Sequence, residues 1–347
     1  MNLTPSFHWP RIGLTSACLS AGALTLPSGA VADDKSILFL RGAERSGGFL
    51  EAGSNDQNRT DQLADVFDND TSSPNRAWGT LGNTLEQNGF TVTQLIEPLE
   101  ANPPSTGGTT GSRLDLPNLN LSQYDVVVFG SNNAQYTEAD ADAVESYLRN
   151  GGGVVFISDA NFGGNWADAS DSDQPFLNRL GLTANQDQGT YQVRRDTNDF
   201  LIPDHPIFNG VDIFDGEGVT PVTVALPGDL PVGVSIDILA NHEGNVRRNN
   251  GPDTGNQQGS SEGSGPQDAA LAAGTIDDGR FVWTFDRNTF FNLGGAGTNI
   301  TRFDNEQYAI NLFTWVADTP GGPVIPEPNT MLLLTAGTLT LLARRRS

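Results

Sequence analysis

Cysteine is almost missing from this chain: Cys18 is the one example in 347 residues, and it lies in the N-terminal leader described below. Without it there is no disulfide framework, no thiolate nucleophile and no cysteine-based zinc site. The folded part must be held by packing. Lysine is nearly as scarce, with Lys35 alone, and 19 basic residues face 42 acidic ones for a net charge of −23. That balance repels phosphate backbones and anionic lipid surfaces, so nucleic acid is not an expected partner. Beyond the leader the only histidines are His205 and His242, which leaves few candidate bases. No G-x-G-x-x-G follows the first strand, and no cofactor is expected. What the chain does have is glycine, 40 residues of it, with a hydrophobic share of 37%. That is enough apolar material for a core, with long and numerous loops.

The two ends read as addresses. Residues 1–32 have the form of a signal peptide, with Arg11 as the positive region and an apolar stretch from Ile12 to Leu26. The small residues Ala30 and Ala32 form the A-x-A cleavage site. Ser16-Ala17-Cys18 is half of a lipoprotein box, a competing reading that Thr15 and the short apolar run before it oppose. At the other end, residues 319–325 form a Gly/Pro linker. Pro326-Glu327-Pro328 follows, then an apolar run from Met331 to Ala343 and the triplet Arg344, Arg345 and Arg346. A short apolar segment with a positive anchor is a stop in the membrane, but this one falls short of the ~20 residues that span comfortably. These three elements in order resemble the PEP-CTERM sorting signal. That resemblance implies an exosortase-type processing protease as partner and membrane attachment through the tail before processing. It also implies a Gram-negative cell envelope, cell surface or extracellular location. An ordinary tail anchor is the alternative.

The middle, residues 33–318, alternates strand and helix patterns. Ser36–Arg41, Phe90–Ile96, Tyr124–Gly130, Val154–Ser158 and Phe281–Phe285 read as strands, and Thr220–Ala240 as several more. Pro74 opens a helix with Trp78, Leu81 and Leu85 on one face. Thr137-x-x-Asp140 is a capping-box pattern for a second helix, with Ala139, Ala143, Val144, Tyr147 and Leu148 on one face. Asp304 caps a last helix carrying Tyr308, Ala309, Leu312, Phe313 and Val316. Strand, helix and strand within about 35 residues make a βαβ unit and point to a parallel sheet.

The order of these motifs resembles the class I glutamine amidotransferase-like family, in its catalytically degenerate, trehalose-utilisation-type form. The residues that carry the likeness are Tyr124-Asp125-Val126-Val127-Val128, Gly151-Gly152-Gly153, Asp204 to Val211, Gly279 to Trp283 and Asp304 to Gln307. The resemblance implies a flavodoxin-like α/β fold, a mostly parallel sheet with helices on both faces. Active members present a cysteine on a Gly-x-Cys-x-Gly elbow. Here Ile157-Ser158-Asp159-Ala160-Asn161 has neither of the glycines nor the cysteine, and Gly130-Ser131-Asn132-Asn133-Ala134 also lacks the elbow. Residues bulkier than glycine oppose the strained turn that an elbow needs.

Open parallel sheets bind ligands beyond the carboxyl ends of their strands. The residues expected there are Glu44, Arg45, Asn132, Asp159, Asn161, Asp286 and Asn288. They are amides, carboxylates and a guanidinium that match sugar hydroxyls by paired hydrogen bonds, with Trp166 nearby in sequence. Turns favour the same residue types for their own reasons, so both readings stand. The expected function is an exported, non-catalytic binding protein of the surface or matrix, with polysaccharide as a candidate ligand. One alternative is a glycan hydrolase using Asp159, Asp286 or Glu44, whose carboxylates would have to lie roughly 5–9.5 Å apart. Another is a purely structural matrix protein. Ser131 or Ser158 would need a base, and Asp204-His205-Pro206 reads as a rigid turn. Asp68-Asn69-Asp70 and Asp168-x-x-Asp171-x-Asp173 offer oxygen ligands for calcium, but without the EF-hand glycine and distal glutamate.

Overall fold

The computed structural model describes residues 35–41, 64–71, 76–96, 114–131, 136–157, 169–184, 190–217, 221–241, 266–293 and 298–318. The expected cleavage site at Ala30 and Ala32 lies outside them. So do Glu44, Arg45, Asn132, Ser158, Asp159, Asn161, Trp166, His242 and the tail residues Pro326, Glu327, Pro328, Arg344, Arg345 and Arg346.

Apolar residues on the central strands divide into two cores by strict alternation. On β1 (Lys35–Arg41), Ile37 and Phe39 enter one core while Leu38 and Leu40 enter the other. On β3 (Val126–Ser131), after β2 (Phe90–Ile96), Val126 and Val128 oppose Val127 and Phe129 in the same way. On β4 (Gly153–Ile157), Val155 and Ile157 oppose Val154 and Phe156. This is the period-two geometry of a strand, and a sheet apolar on both faces must be covered on both.

Helices supply the cover. One face is packed by α1 (Gly79–Gln87) and by the last helix, and the other by α2 (Glu138–Arg149) and α3 (Ala169–Leu180). Later in the chain come β5 (Leu182–Ala184), β6 (Thr190–Arg194), β7 (Ile213–Glu217), β8 (Val222–Val224) and β9 (Val234–Ala240). The last elements are β10 (Asp268–Ala269), β11 (Leu271–Ile276), β12 (Gly279–Thr284) and α4 (Asn305–Ala317). The main sheet has seven strands in the order β2-β1-β3-β4-β12-β11-β9. The first five are parallel, and their order is the doubly wound 2-1-3-4-5 arrangement. The expected α/β class with a mostly parallel sheet and helices on both faces is therefore observed. The exception is β11, which runs antiparallel to both neighbours.

Local expectations fare unevenly. The capping box is present: Thr137 Oγ1 accepts from Asp140 N at 3.3 Å, and the Asp140 carboxylate accepts from Thr137 N at 2.9 Å. The buried face of α2 is Asp140, Ala141, Val144, Tyr147 and Leu148. It shares Val144, Tyr147 and Leu148 with the expected stripe, while Ala139 is exposed and Ala143 half-buried. The first helix starts at Gly79, after Trp78, rather than at Pro74. Asp304 precedes α4 but makes no capping bond to it. Its carboxylate instead accepts from Asp212 N at 2.8 Å and Ile213 N at 3.0 Å, tying α4 to the start of β7. The acidic run read as possible calcium ligands is part of α3 from Ala169 onward, and Asp173 is buried within it.

Candidate functional site

In a 2-1-3-4-5 sheet the order reverses between β1 and β3, and ligands gather beyond the carboxyl ends there. At this point β3 passes Gly130, and a Cβ on that glycine would overlap the indole ring of Trp78. Trp78 is 2% exposed. Its Nε1 donates to the carbonyl of Arg287 at 3.3 Å, across to the exit of β12. The indole therefore fills the space under the switch point and joins two strand ends.

The β12 exit, Phe285 to Asn292, is the best-defined part of this edge. Asp286 is fully buried, and its Oδ1 accepts from Asn288 N at 2.9 Å, closing the turn into a short 3-10 helix, Asn288–Phe290. Thr289 Oγ1 donates to the Asp215 carbonyl at 2.7 Å. Asn292 fixes the segment to α1: its Oδ1 accepts from Thr80 N at 2.8 Å, and its Nδ2 donates to the Asp68 carbonyl at 2.6 Å. It thereby serves as the N-terminal cap that Trp78 cannot provide. The Asp68-Asn69-Asp70 segment makes turn contacts, with Asp70 N donating to Asp68 Oδ1 at 2.9 Å.

Beneath this lies a buried polar cluster. Asp215 accepts from Asn305 Nδ2 at 2.9 Å through one oxygen, and the other lies 3.2 Å from Arg302 Nε. Asn305 Oδ1 accepts from Asp215 N at 3.0 Å. Burying a carboxylate is costly unless it is paired and hydrogen-bonded, and this one is both.

The described histidine sits at the opposite edge. His205 Nδ1 accepts from Ile207 N at 3.3 Å at the start of a 3-10 turn, Pro206–Phe208. Its ring packs 5.2 Å from that of Trp315. Arg280 stacks on the same indole at 5.0 Å and donates to the Trp315 carbonyl at 2.7 Å. Burial lowers the His205 pKa; Asp237 pulls it up and Arg280 pushes it down further. Arg280 is level with Gly153 and Val126 in the sheet register. Ser131 lies at the far end of β3, about 17 Å further on at ~3.3 Å per residue. Among the described residues, then, His205 and the Ser131 end of β3 lie at opposite edges of the sheet. The rigid turn expected of Asp204-His205-Pro206 is present, although it leads into a 3-10 turn rather than directly into a strand.

A groove of about 430 Å³ also lies at the amino edge, between the segment 116–125 and α2. Its deeper residues are Leu116, Leu121, Tyr147 and Gly152, and its exposed rim includes Asn120, Ser122, Ser146 and Asn150. Tyr147 Oη donates to the Tyr124 carbonyl at 3.0 Å and accepts from Gly153 N at 3.3 Å. Burial raises its pKa well above the usual tyrosine value, offset in part by the Gly153 bond, so the phenol is neutral. Asp125 on the wall accepts from Ser36 N at 2.7 Å and lies 3.9 Å from Lys35 Nζ.

Of the seven residues expected to bind ligand, the described structure contains Asp286 and Asn288. Asp286 is covered and committed to its turn, while Asn288 is half-buried. Sequence reasoning missed Trp78 as the plug of the switch point, Asn292 as a cap, and the groove. Only the groove had a local signal, the alternation of Leu116, Leu119 and Leu121 with Asn118 and Asn120.

A model of the PEP-CTERM protein-sorting motif matches residues 324–346. No curated protein matches the sequence. Solved structures similar to this chain include a ThuA-like protein from Bacteroides uniformis, with TM-score 0.38 and 14% identity over 81% of this chain and 90% of that one. A ThuA-like protein from Parabacteroides merdae has TM-score 0.39 and 14% identity over 82% and 90%. A cytoplasmic protein of Salmonella typhimurium LT2 has TM-score 0.43 and 13% identity over 81% and 99%. With TM-scores below 0.5, these likenesses carry no weight for function.

Proposed function

We propose that this exported protein, which carries a PEP-CTERM sorting motif with the exosortase-type processing that motif implies, is a non-catalytic binding protein of the cell surface or extracellular matrix. Its proposed ligand is a polysaccharide. The observation that supports the non-catalytic reading is the sheet geometry. His205 is at the amino edge and Ser131 at the carboxyl edge, so these two cannot act as nucleophile and base. The covered Asp286 carboxylate, held in its own turn, is unsuited to general acid–base work in the hydrolase alternative. Contact with ligand is assigned to Asn288 together with Glu44, Arg45, Asn132, Asp159 and Asn161. The remaining details belong to the same proposal: a signal peptide over residues 1–32, a folded domain over 33–318, a Gram-negative envelope, and membrane attachment through the tail before processing.

Thermal unfolding of the protein with a panel of neutral and acidic polysaccharides tests this. A ligand at a hundredfold its dissociation constant stabilises by ~2.7 kcal/mol. A stabilisation by one saccharide class supports the reading. Unchanged melting with every saccharide sinks it and favours a structural matrix role.

A further inference from the structure

We infer that the amino-edge groove is a binding site for a neutral saccharide segment, separate from the carboxyl-edge residues. This inference rests on the proposed saccharide-binding function but concerns a different surface. Its volume of about 430 Å³ falls within the range of about 300–1,000 Å³ usual for small-molecule clefts.

The chemistry of the lining selects the ligand. Leu116, Leu121 and Tyr147 give an apolar floor for the carbon face of a sugar ring. The rim offers carboxamides and hydroxyls that are only partly used. Asn120 is exposed, and its Oδ1 accepts from Ser122 Oγ at 2.8 Å, a bond that does not use its amide donors. Asn150 Nδ2 donates to the Ser146 carbonyl at 2.7 Å, which leaves its oxygen as an acceptor. Paired donors and acceptors on short, constrained side chains match vicinal hydroxyls.

Charge narrows the class. Among the described residues the ionisable groups of the lining are Asp125 and the two tyrosines, Tyr124 and Tyr147. Asp125 faces Lys35 and takes hydrogen bonds from Ser36 N and Oγ. Among the described residues no arginine or lysine lines the groove to hold an anion, and the chain as a whole carries a net charge of −23. A uronic acid or a phosphate would enter against that field, whereas a neutral sugar would not.

The test is calorimetric titration of the protein with neutral gluco-, manno- and galacto-oligosaccharides. Wild type is compared with Ser146→Trp, which fills the groove from its exposed rim, with Asn120→Ala, and with Asn288→Ala at the carboxyl edge. The expected result is binding of one series by wild type, with a loss of tenfold or more in Ser146→Trp and a smaller loss in Asn120→Ala. Asn120 is exposed, so its variant keeps the test valid should Ser146→Trp melt early. Binding that survives both groove variants but falls in Asn288→Ala overturns the groove and leaves the saccharide reading standing. Binding of none of the series by wild type overturns the groove, and the polysaccharide panel above then decides the wider reading on its own.

Discussion

Gly130 shows how one missing side chain sets the character of the strand ends. The indole of Trp78 occupies the space where its Cβ would stand, so Gly130→Ala must displace a ring that is locked to Arg287. Overpacking a filled core costs about 1–3 kcal/mol. A urea titration should show a lower midpoint of that size with an unchanged slope; an unshifted midpoint would mean the ring has room to move. His205 makes a different prediction. Its folded pKa lies below the ordinary value because of burial, with Arg280 adding to and Asp237 opposing the shift. In that window the unfolded chain binds more protons than the folded one. Stability attributable to His205 is therefore full above the unfolded value near ~6.5 and is lost as pH falls through it toward the folded pKa. His205→Asn keeps an acceptor for Ile207 N and removes the titration. Chemical denaturation at pH 7 and pH 5 should show a shallower pH dependence in the variant, and equal slopes would refute the assignment.

Elements differ in how they are anchored, and the two acidic residues expected to cap helices illustrate it. Thr137 and Asp140 close a reciprocal box at the start of α2. Thr137→Ala should cost about 1 kcal/mol, with faster hydrogen exchange confined to the first turn of that helix. Asp304 spends its carboxylate on two backbone donors of the β7 entry. Asp304→Ala should cost about 1–3 kcal/mol and accelerate exchange at Asp212 and Ile213, leaving the first turn of α4 unchanged. Sequence patterns distinguish these cases poorly because both present an acidic residue before an apolar helical stripe. The same limit explains the uneven legibility of the fold. Strands β1, β3, β4 and β12 and helices α2 and α4 were readable because their apolar periodicity is local. Strand β11 was not, since Leu271-Ala272-Ala273-Gly274 has little strand character and is held in place by β12 and β9. Helix α3 was hidden by its polar first turns and by Pro175 within it. The carboxyl edge was legible as a place in the sheet, but the contacts made there were not. Burial of Asp286 depends on a turn that no spacing announces, and Asn292 caps a helix more than 200 positions away in sequence.

The whole molecule carries its charge as a surface property. With a net charge of −23, self-repulsion opposes the compact state. It is offset locally by ion pairs such as Arg149–Asp277 at 2.8 Å and Arg179–Asp142 at 2.6 Å. Exposed pairs of this kind contribute little each. Raising sodium chloride from 0.01 M to 0.15 M shortens the screening length from about 30 Å to about 8 Å, so the melting temperature should rise. A fall would show that the pairs outweigh the repulsion. Among the described residues no helix is long and apolar enough to cross a membrane.

Strand β1 begins at Lys35 beside Asp125. Helix α4 ends with Val316 against Gly153, so that a Cβ on that glycine would come 2.8 Å from the Val316 carbonyl. The polypeptide thus enters and leaves the described fold on one side, the amino edge. Seven residues separate Asp318 from Pro326, eight residue steps that reach at most about 28 Å even when fully extended. The sorting motif is therefore joined to the domain at the edge that carries the groove, and the switch point lies at the other edge.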